Sequence, residues 1–292
     1  MTVSLYLMGK KGYSVLSGII SIGQSHLIDK VIIAKDKSVE DDYYDSLKEV
    51  CLKSKINCYD KNESFAITSQ YCIAVSWRWL ISVDATFQLI ILHDSLLPKY
   101  RGFAPLVNML INKEPRIGVT AIFADKEFDK GNIIIQKSIS ISYPIKIGTV
   151  IELISPLYVQ IVCEILRKIE FGIVLDSTPQ DERFATYSLW RDEEDYRIDW
   201  NLSSSDIMQF VYSVGFPYKG ASTICDGNLF RIYNCELYDD VKIENRTPGK
   251  VLFCVDNYPV VVCGIGLLKI TQLCDCFGNM YLPIKKFRLK FK

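Results

Sequence analysis

Between residues 3 and 92 the chain repeats one pattern: a short apolar run rich in β-branched residues, then a stretch with helical period. Val3 to Met8 reads as a strand, Gly9 to Gly12 as a turn, and Tyr13 to Ile22 as a helix with Val15, Leu16, Ile19 and Ile20 on one face. Val31 to Ala34, Ile56 to Tyr59, Ile73 to Ser76 and Leu89 to Leu92 are further strands, with a polar helix at Asp41 to Lys53. A strand with no polar face needs cover on both sides. The repeat therefore predicts an α/β fold: an open, Rossmann-like, mostly parallel sheet with helices on both faces.

The pattern changes near Gly172. A long amphipathic helix, Thr149 to Ile169, closes the first part, and residues 176–204 are polar and charged. A short helix from Ser205 to Val214 follows. Strand-sized pieces separated by turn residues come next, at Ala221–Cys225, Leu229–Leu237, Gly249–Cys254, Val260–Cys263 and Leu267–Leu273. This spacing predicts a small antiparallel β-barrel. The expected domains are 1–175, a linker at 176–204, and 205–292. The basic tail from Lys285 to Lys292 reads as a solvated edge strand guarded by lysines.

Composition narrows the function classes. There are 34 Lys+Arg and 34 Asp+Glu, so the formal net charge is zero, which disfavours a dedicated polyanion binder. Two histidines, His26 and His93, are too few for a histidine-built zinc site, and the ten cysteines contain no Cys-x-x-Cys pair. Cys274 and Cys276 form the single close pair and read as structural thiols. No metal is expected. The cysteine usage, and apolar runs too short to span a bilayer, predict a reducing, cytoplasmic setting with no membrane partner.

The chemistry-bearing stretch runs from His93 to Gln136. It contains His93-Asp94-Ser95-Leu96-Leu97-Pro98-Lys99-Tyr100-Arg101-Gly102, Gly118-Val119-Thr120, and Asp129-Lys130-Gly131. His93 follows a buried strand, and open α/β sheets bind ligands at the carboxyl ends of strands. Spacing alone leaves a catalytic His/Asp pair and a packed structural histidine both open.

These motifs resemble the folate-dependent formyltransferases, whose core pattern is Asn-x-His-x-Ser-Leu-Leu-Pro, Tyr-Arg-Gly, Gly-Val-Thr and Asp-x-Gly. The resemblance continues through Ala185-Thr186-Tyr187, Ile198-Asp199-Trp200, Phe216-Pro217-Tyr218-Lys219-Gly220-Ala221 and Pro248-Gly249, and so covers nearly the whole chain. It implies transfer of a formyl group from N10-formyltetrahydrofolate to a primary amine. His93 would polarise the formyl oxygen or shuttle protons. Asp129 would orient His93 and take the amine proton. Arg78, Trp79, Leu80 and Ile81 would grip the pteridine, and the loop from Asp125 to Phe128 would close over it. A core aromatic is the alternative reading of Trp79.

One position departs from the pattern. Ile91 stands where the family has an Asn that helps hold the oxyanion, and losing such a donor costs roughly two to three powers of ten in rate. Three readings follow: a substitute donor, a slow enzyme, or a folate-binding protein without catalysis. Retention of His93 and Asp129 favours catalysis.

The acceptor amine is argued from charge. The stretch from Asp181 to Glu194 holds five acidic groups, unsuited to a tRNA backbone. A nucleotide-linked amino sugar carries only a diphosphate, which Lys99 and Arg101 would meet, with Tyr100 and Tyr187 beside them. A solvated loop is the alternative for both cations. The expected partner is a dTDP- or UDP-linked amino sugar used in surface polysaccharide synthesis, with no nucleic acid. Methionyl-tRNA is the alternative acceptor. A homodimer is a further expectation of the resemblance.

Overall fold

In the computed structural model, residues 2–82, 86–284 and 288–292 are described. They form two compact units. The first comprises Met1–Leu106, Pro115–Ile141 and Val150–Leu189, the second Val107–Glu114, Ser142–Thr149 and Trp190–Lys292. The segment expected as a linker is thus divided: residues 176–189 pack within the first unit and 190–204 within the second.

The first unit is built on β1 (Val3–Leu7), β2 (Ile28–Ile33), β3 (Asn57–Asp60), β4 (Tyr71–Val75), β5 (Gln88–His93), β7 (Arg116–Phe123) and β8 (Ile133–Ser140). A two-residue strand β6 (Arg101–Gly102) lies between β5 and β7 in sequence. The sheet order is β3-β2-β1-β4-β5-β7-β8. The strands from β3 to β5 are mutually parallel, while β7 pairs antiparallel with both β5 and β8. The expected mostly parallel sheet is the one observed. All of β1 is buried, as its run of apolar residues requires. The chain runs outward from β1 through β2 to β3, then returns to β4 on the other side of β1. Such a reversal opens a crevice at the carboxyl ends of the strands.

Helices α1 (Gly9–Ser21) and α2 (Tyr44–Lys53) connect the first three strands, and α3 (Pro105–Ile111) precedes β7. The turn expected at residues 9–12 is instead the first turn of α1. Gly9, at φ +62°, reverses the chain in one step, and a Cβ on Gly12 would stand 3.1 Å from the Cβ of Leu7, so helix and strand meet closely there. Helix α4 (Ile147–Glu170) crosses α1 where Gly18 meets Val159. Over the face carrying Tyr6, Ile32, Cys72, Ala74 and Leu89, segments between strands supply Phe65, Ile67, Trp77 and Ile81.

By length and composition α4 is long and apolar enough to cross a membrane, which corrects the expectation that no run qualifies. From Ile147 to Cys163 its only charged residue is Glu152. Its apolar side is core: Val150, Ile154, Tyr158, Ile161, Ile165 and Leu166 are buried.

The first unit also contains β9 (Tyr187–Ser188), which pairs with β6. In the second unit, α5 (Ser204–Ser213) is capped by Ser203, whose hydroxyl accepts from Asp206 N at 3.1 Å. Strands β10 (Ala221–Cys225), β11 (Asn228–Tyr238), β12 (Val251–Val255), β13 (Tyr258–Val262) and β14 (Leu267–Asp275) form an antiparallel sheet ordered β10-β11-β14-β13-β12. Its outer strands are joined by the tail. Lys292 exchanges backbone bonds with Ile224 of β10, and Leu289 O accepts from Val251 N of β12. Leu289 and Phe291 are buried, with Phe291 stacked on Trp200 at 5.7 Å. The solvated edge expected there is therefore a seam that links both edges, because its apolar residues alternate inward. Lys285, Lys286 and Phe287 lie outside the described residues.

Candidate active site

The site begins where β5 ends. His93 pairs in register with Thr120 of β7, and both are buried. The Thr120 hydroxyl donates to Ser95 O at 2.6 Å and accepts from Leu97 N at 3.1 Å. Gln136 Nε2 donates to Leu97 O at 2.8 Å. These bonds pin the chain immediately after His93, so the loop that follows has a fixed start.

That loop then takes three left-handed steps, at Tyr100 (φ +59°), Gly102 (φ +95°) and Ala104 (φ +45°). Gly102 is required twice over: its φ is unfavourable for other residues, and a Cβ would lie 2.6 Å from Ser188 O. The result aims Tyr100 O at His93, whose Nε2 donates to it at 2.8 Å. A carbonyl can only accept, so Nε2 carries the proton and Nδ1 is the ring atom left for chemistry.

His93 Nδ1 faces Asp129 Oδ1 at 3.6 Å, longer than a hydrogen bond. Asp129 is itself tightly placed. Its Oδ2 accepts from Gly102 N at 2.8 Å, and its φ is +58°. Two residues on, a Cβ at Gly131 would lie 1.7 Å from Phe123 O, so only glycine lets this loop approach β7 so closely. The sequence-predicted pair, His93 and Asp129, is thus brought together.

Behind Asp129 lies a side chain that the sequence did not single out. Gln180 Nε2 donates to Asp129 O at 2.7 Å and to Gly131 O at 2.8 Å. Its Oε1 accepts from Arg101 Nε at 3.1 Å and Nη2 at 2.8 Å. Arg101 is 0% exposed. It also forms a two-pronged pair with Glu182, at 2.7 and 2.9 Å, and Nη1 reaches Tyr187 OH at 3.3 Å. Glu182 chiefly, by hydrogen bonding, holds the guanidinium above its ordinary value. The expectation that Arg101 meets a diphosphate is corrected: its donors are consumed internally. Lys99 is the exposed cation of this loop, Tyr100 is half-buried, and Tyr187 is 62% exposed.

Asp94, beside His93, is held by Lys11 and by Tyr158 OH, the latter at 2.5 Å. Burial alone would raise its carboxyl, but the charge and hydrogen bond of Lys11, then Tyr158 and His93, outweigh it and leave the group below the usual carboxylate range. Among the described residues no cluster of three or more potential metal ligands forms.

The expected pteridine side is apolar and open. Ile91 and Ala124 pack with Trp77 and Ile81 against the cluster around Tyr6 and Ala74. Arg78 turns away to Asp36 Oδ1 at 2.9 Å, leaving its backbone as its contribution. Trp79 packs edge-on to Trp77 at 5.3 Å, with Lys61 over its ring. Leu80 is 82% and Phe128 72% exposed, and Asp125 is exposed. At the end of β4, Ser76 (φ +54°) has a buried hydroxyl with no partner among the described residues. The β4–β5 ladder ends at Val75 and Leu92, so Ser76 and His93 are the next residues of the two strands. These residues suit a flat heteroaromatic ring, which needs apolar walls and a few convergent polar groups.

Comparison with known proteins agrees with this architecture. Residues 61–154 match the family described as formyl transferase, and residues 191–277 match formyl transferase, C-terminal domain. The chain is 32% identical over 181 residues to methionyl-tRNA formyltransferase of Caldanaerobacter subterraneus subsp. tengcongensis, covering 62% of this chain and 57% of that protein. It is 26% identical over 285 residues to methionyl-tRNA formyltransferase of Streptococcus sanguinis, covering 92% and 89%. In fold it is similar to the N-formyltransferase of Helicobacter canadensis, solved in complex with folinic acid and dTDP-3-aminofucose, with a TM-score of 0.66 and 15% identity over 96% of this chain and 100% of that one.

Proposed function

The chain belongs to the formyl transferase family, and from that premise we propose that it moves the formyl group of N10-formyltetrahydrofolate to the primary amine of a nucleotide-linked amino sugar. The observation that carries formyl transfer is the aimed pair: His93 Nδ1, with Nε2 already committed to Tyr100 O, facing Asp129 across 3.6 Å. Bound folate supplies the activated formyl group. The amine nitrogen bonds to the formyl carbon, the bond from that carbon to N10 breaks, and N10 gains a proton. His93 Nδ1 takes the proton lost by the amine and passes it to N10 as that bond breaks, and the Asp129 carboxylate stabilises the transient imidazolium. Leu80, Trp79 and Phe128 exclude water from the folate ring. Ile91 offers no donor to the formyl oxygen, and we assign that place to the Ser76 hydroxyl, which has no other partner among the described residues.

The acceptor is argued from charge and fold. Zero net charge suits a small anion better than a tRNA, and the fold matches the whole length of the H. canadensis enzyme. The acidity of 181–194 weighs less than sequence suggests, because Asp181 pairs with Arg183, Glu182 with Arg101 and Glu193 with Arg231. Lys99 is the residue offered to the diphosphate, with Tyr100 and Tyr187 beside the sugar. The sequence relatives favour a second reading, methionyl-tRNA as acceptor.

Incubation with N10-formyltetrahydrofolate and dTDP- and UDP-linked 3-amino and 4-amino sugars, alongside charged initiator tRNA, tests the proposal. Formylated sugar is the expected product. Formylated tRNA without formylated sugar establishes the second reading. Folate binding with no transfer to any amine makes the chain a binding protein.

A further inference from the structure

We propose that Gln180 is a positioning residue of this site: its carboxamide locks the Asp129 loop to the Tyr100–Gly102 loop and so sets the distance between Asp129 and His93. The inference rests on the reading of His93 and Asp129 as the reacting pair.

The amide uses its whole bonding capacity. Both Nε2 hydrogens go to the carbonyls of Asp129 and Gly131, and both lone pairs of Oε1 receive Arg101. This chemistry also fixes the amide's orientation, since two carbonyls on one side and a guanidinium on the other admit no flip. The contacts form a closed circuit. His93 Nε2 meets Tyr100 O; the next residue, Arg101, meets Gln180; Gln180 meets Asp129; and Asp129 returns to Gly102 N and to His93 Nδ1.

Without Gln180 the circuit opens at the backbone of Asp129. That residue holds a left-handed conformation, which the bonds around its backbone help to keep. Arg101 would remain, because Glu182 still engages it from outside. The loop carrying Asp129 would lose its two backbone anchors and the carboxylate would drift from the ring.

Among the described residues, the groups facing His93 are few. Asp129 comes from the β7–β8 loop, and Tyr100 presents its carbonyl. Asp94 is adjacent, held by Lys11 of α1 and Tyr158 of α4. A retreating Asp129 therefore removes the carboxylate that faces His93 Nδ1.

The test uses Gln180→Met, of similar length without hydrogen bonding, and Gln180→Ala. The chain has two histidines, so nuclear magnetic resonance at one fixed pH reads both imidazole rings, with His26 as internal reference. The expected result is a displaced set of His93 ring resonances, because the carboxylate facing Nδ1 has moved, with the His26 resonances unchanged. In the same variants kcat falls roughly 10- to 100-fold, while tetrahydrofolate, used as the binding probe, binds within about twofold of wild type. His93 ring resonances and a kcat like wild type in a folded variant overturn the proposal. Failure of both variants to fold assigns Gln180 to stability alone and also overturns it. If the wild-type protein formylates no amine, the functional reading fails, and the His93 ring resonances still decide the role of Gln180.

Discussion

Around Asp129 the chain is held by directional bonds: Gly102 N on its carboxylate, Gln180 on its carbonyl, Arg101 and Glu182 behind, and glycine at 131 where no side chain fits. Around Leu80 and Phe128 few such bonds exist among the described residues, and large apolar side chains stand in solvent. The first region resists motion before any ligand arrives, so it suits proton transfer, where an error near 1 Å costs about a hundredfold in rate. The second gains its order by burying apolar surface against a ligand, so it suits binding. Variants in the two regions should therefore fail differently.

The largest effect is expected from His93→Ala or Asp129→Asn, which should lower kcat by about 10²- to 10⁴-fold with little change in folate affinity. Steady-state kinetics with a binding titration separates the two quantities. Ser76→Ala should cost about 10²-fold in kcat if its hydroxyl replaces the missing amide, and a wild-type rate would remove it from that role. Gly131→Ala should cost a comparable factor, because its Cβ collides with Phe123 O and the Asp129 loop must shift. Phe128→Ala should do the reverse, raising KM for the folate about tenfold with kcat and thermal stability nearly unchanged. Equal loss of kcat in Phe128→Ala and Gly131→Ala would abolish the distinction between the regions.

The smallest effect is on stability against acid. The Asp94 carboxyl lies below its unfolded value, which is about 3.9. Its contribution is therefore complete above that value and is lost as pH falls through the lower folded one. Asp94→Asn should flatten stability against pH in that acid window. At neutral pH it should cost roughly 1.5–3 kcal/mol. Denaturant titrations at a series of pH values measure both.

Legibility in the sequence divides along chemical lines. Strands β1, β4 and β5 were readable because continuous apolar runs leave little choice of environment. The approach of His93 and Asp129 was readable because each sits in a motif punctuated by glycine or proline. Gln180 was not, since an amide between Pro179 and Asp181 looks like any polar loop, and its partners lie about 50 and 80 residues away in the chain. Arg101 was misread for the same reason: a cation in a loop gives no local sign that Glu182 has claimed it. The tail failed differently. Its lysines suggested exposure, while the alternation of Leu289 and Phe291 carried the true signal.

Helix α4 has a consequence during biosynthesis. Emerging from the ribosome, a stretch this apolar offers the same surface that membrane insertion machinery recognises. The strands of the seven-stranded sheet, β1 to β5, β7 and β8, precede it in the chain, and so do residues it meets, Gly18 of α1, Asp94 and Lys137 of β8, so these are translated first. The order of elements along the chain therefore acts as a safeguard. A permuted version that places α4 ahead of those strands should fold to the same structure in isolation, yet lose soluble yield in cells.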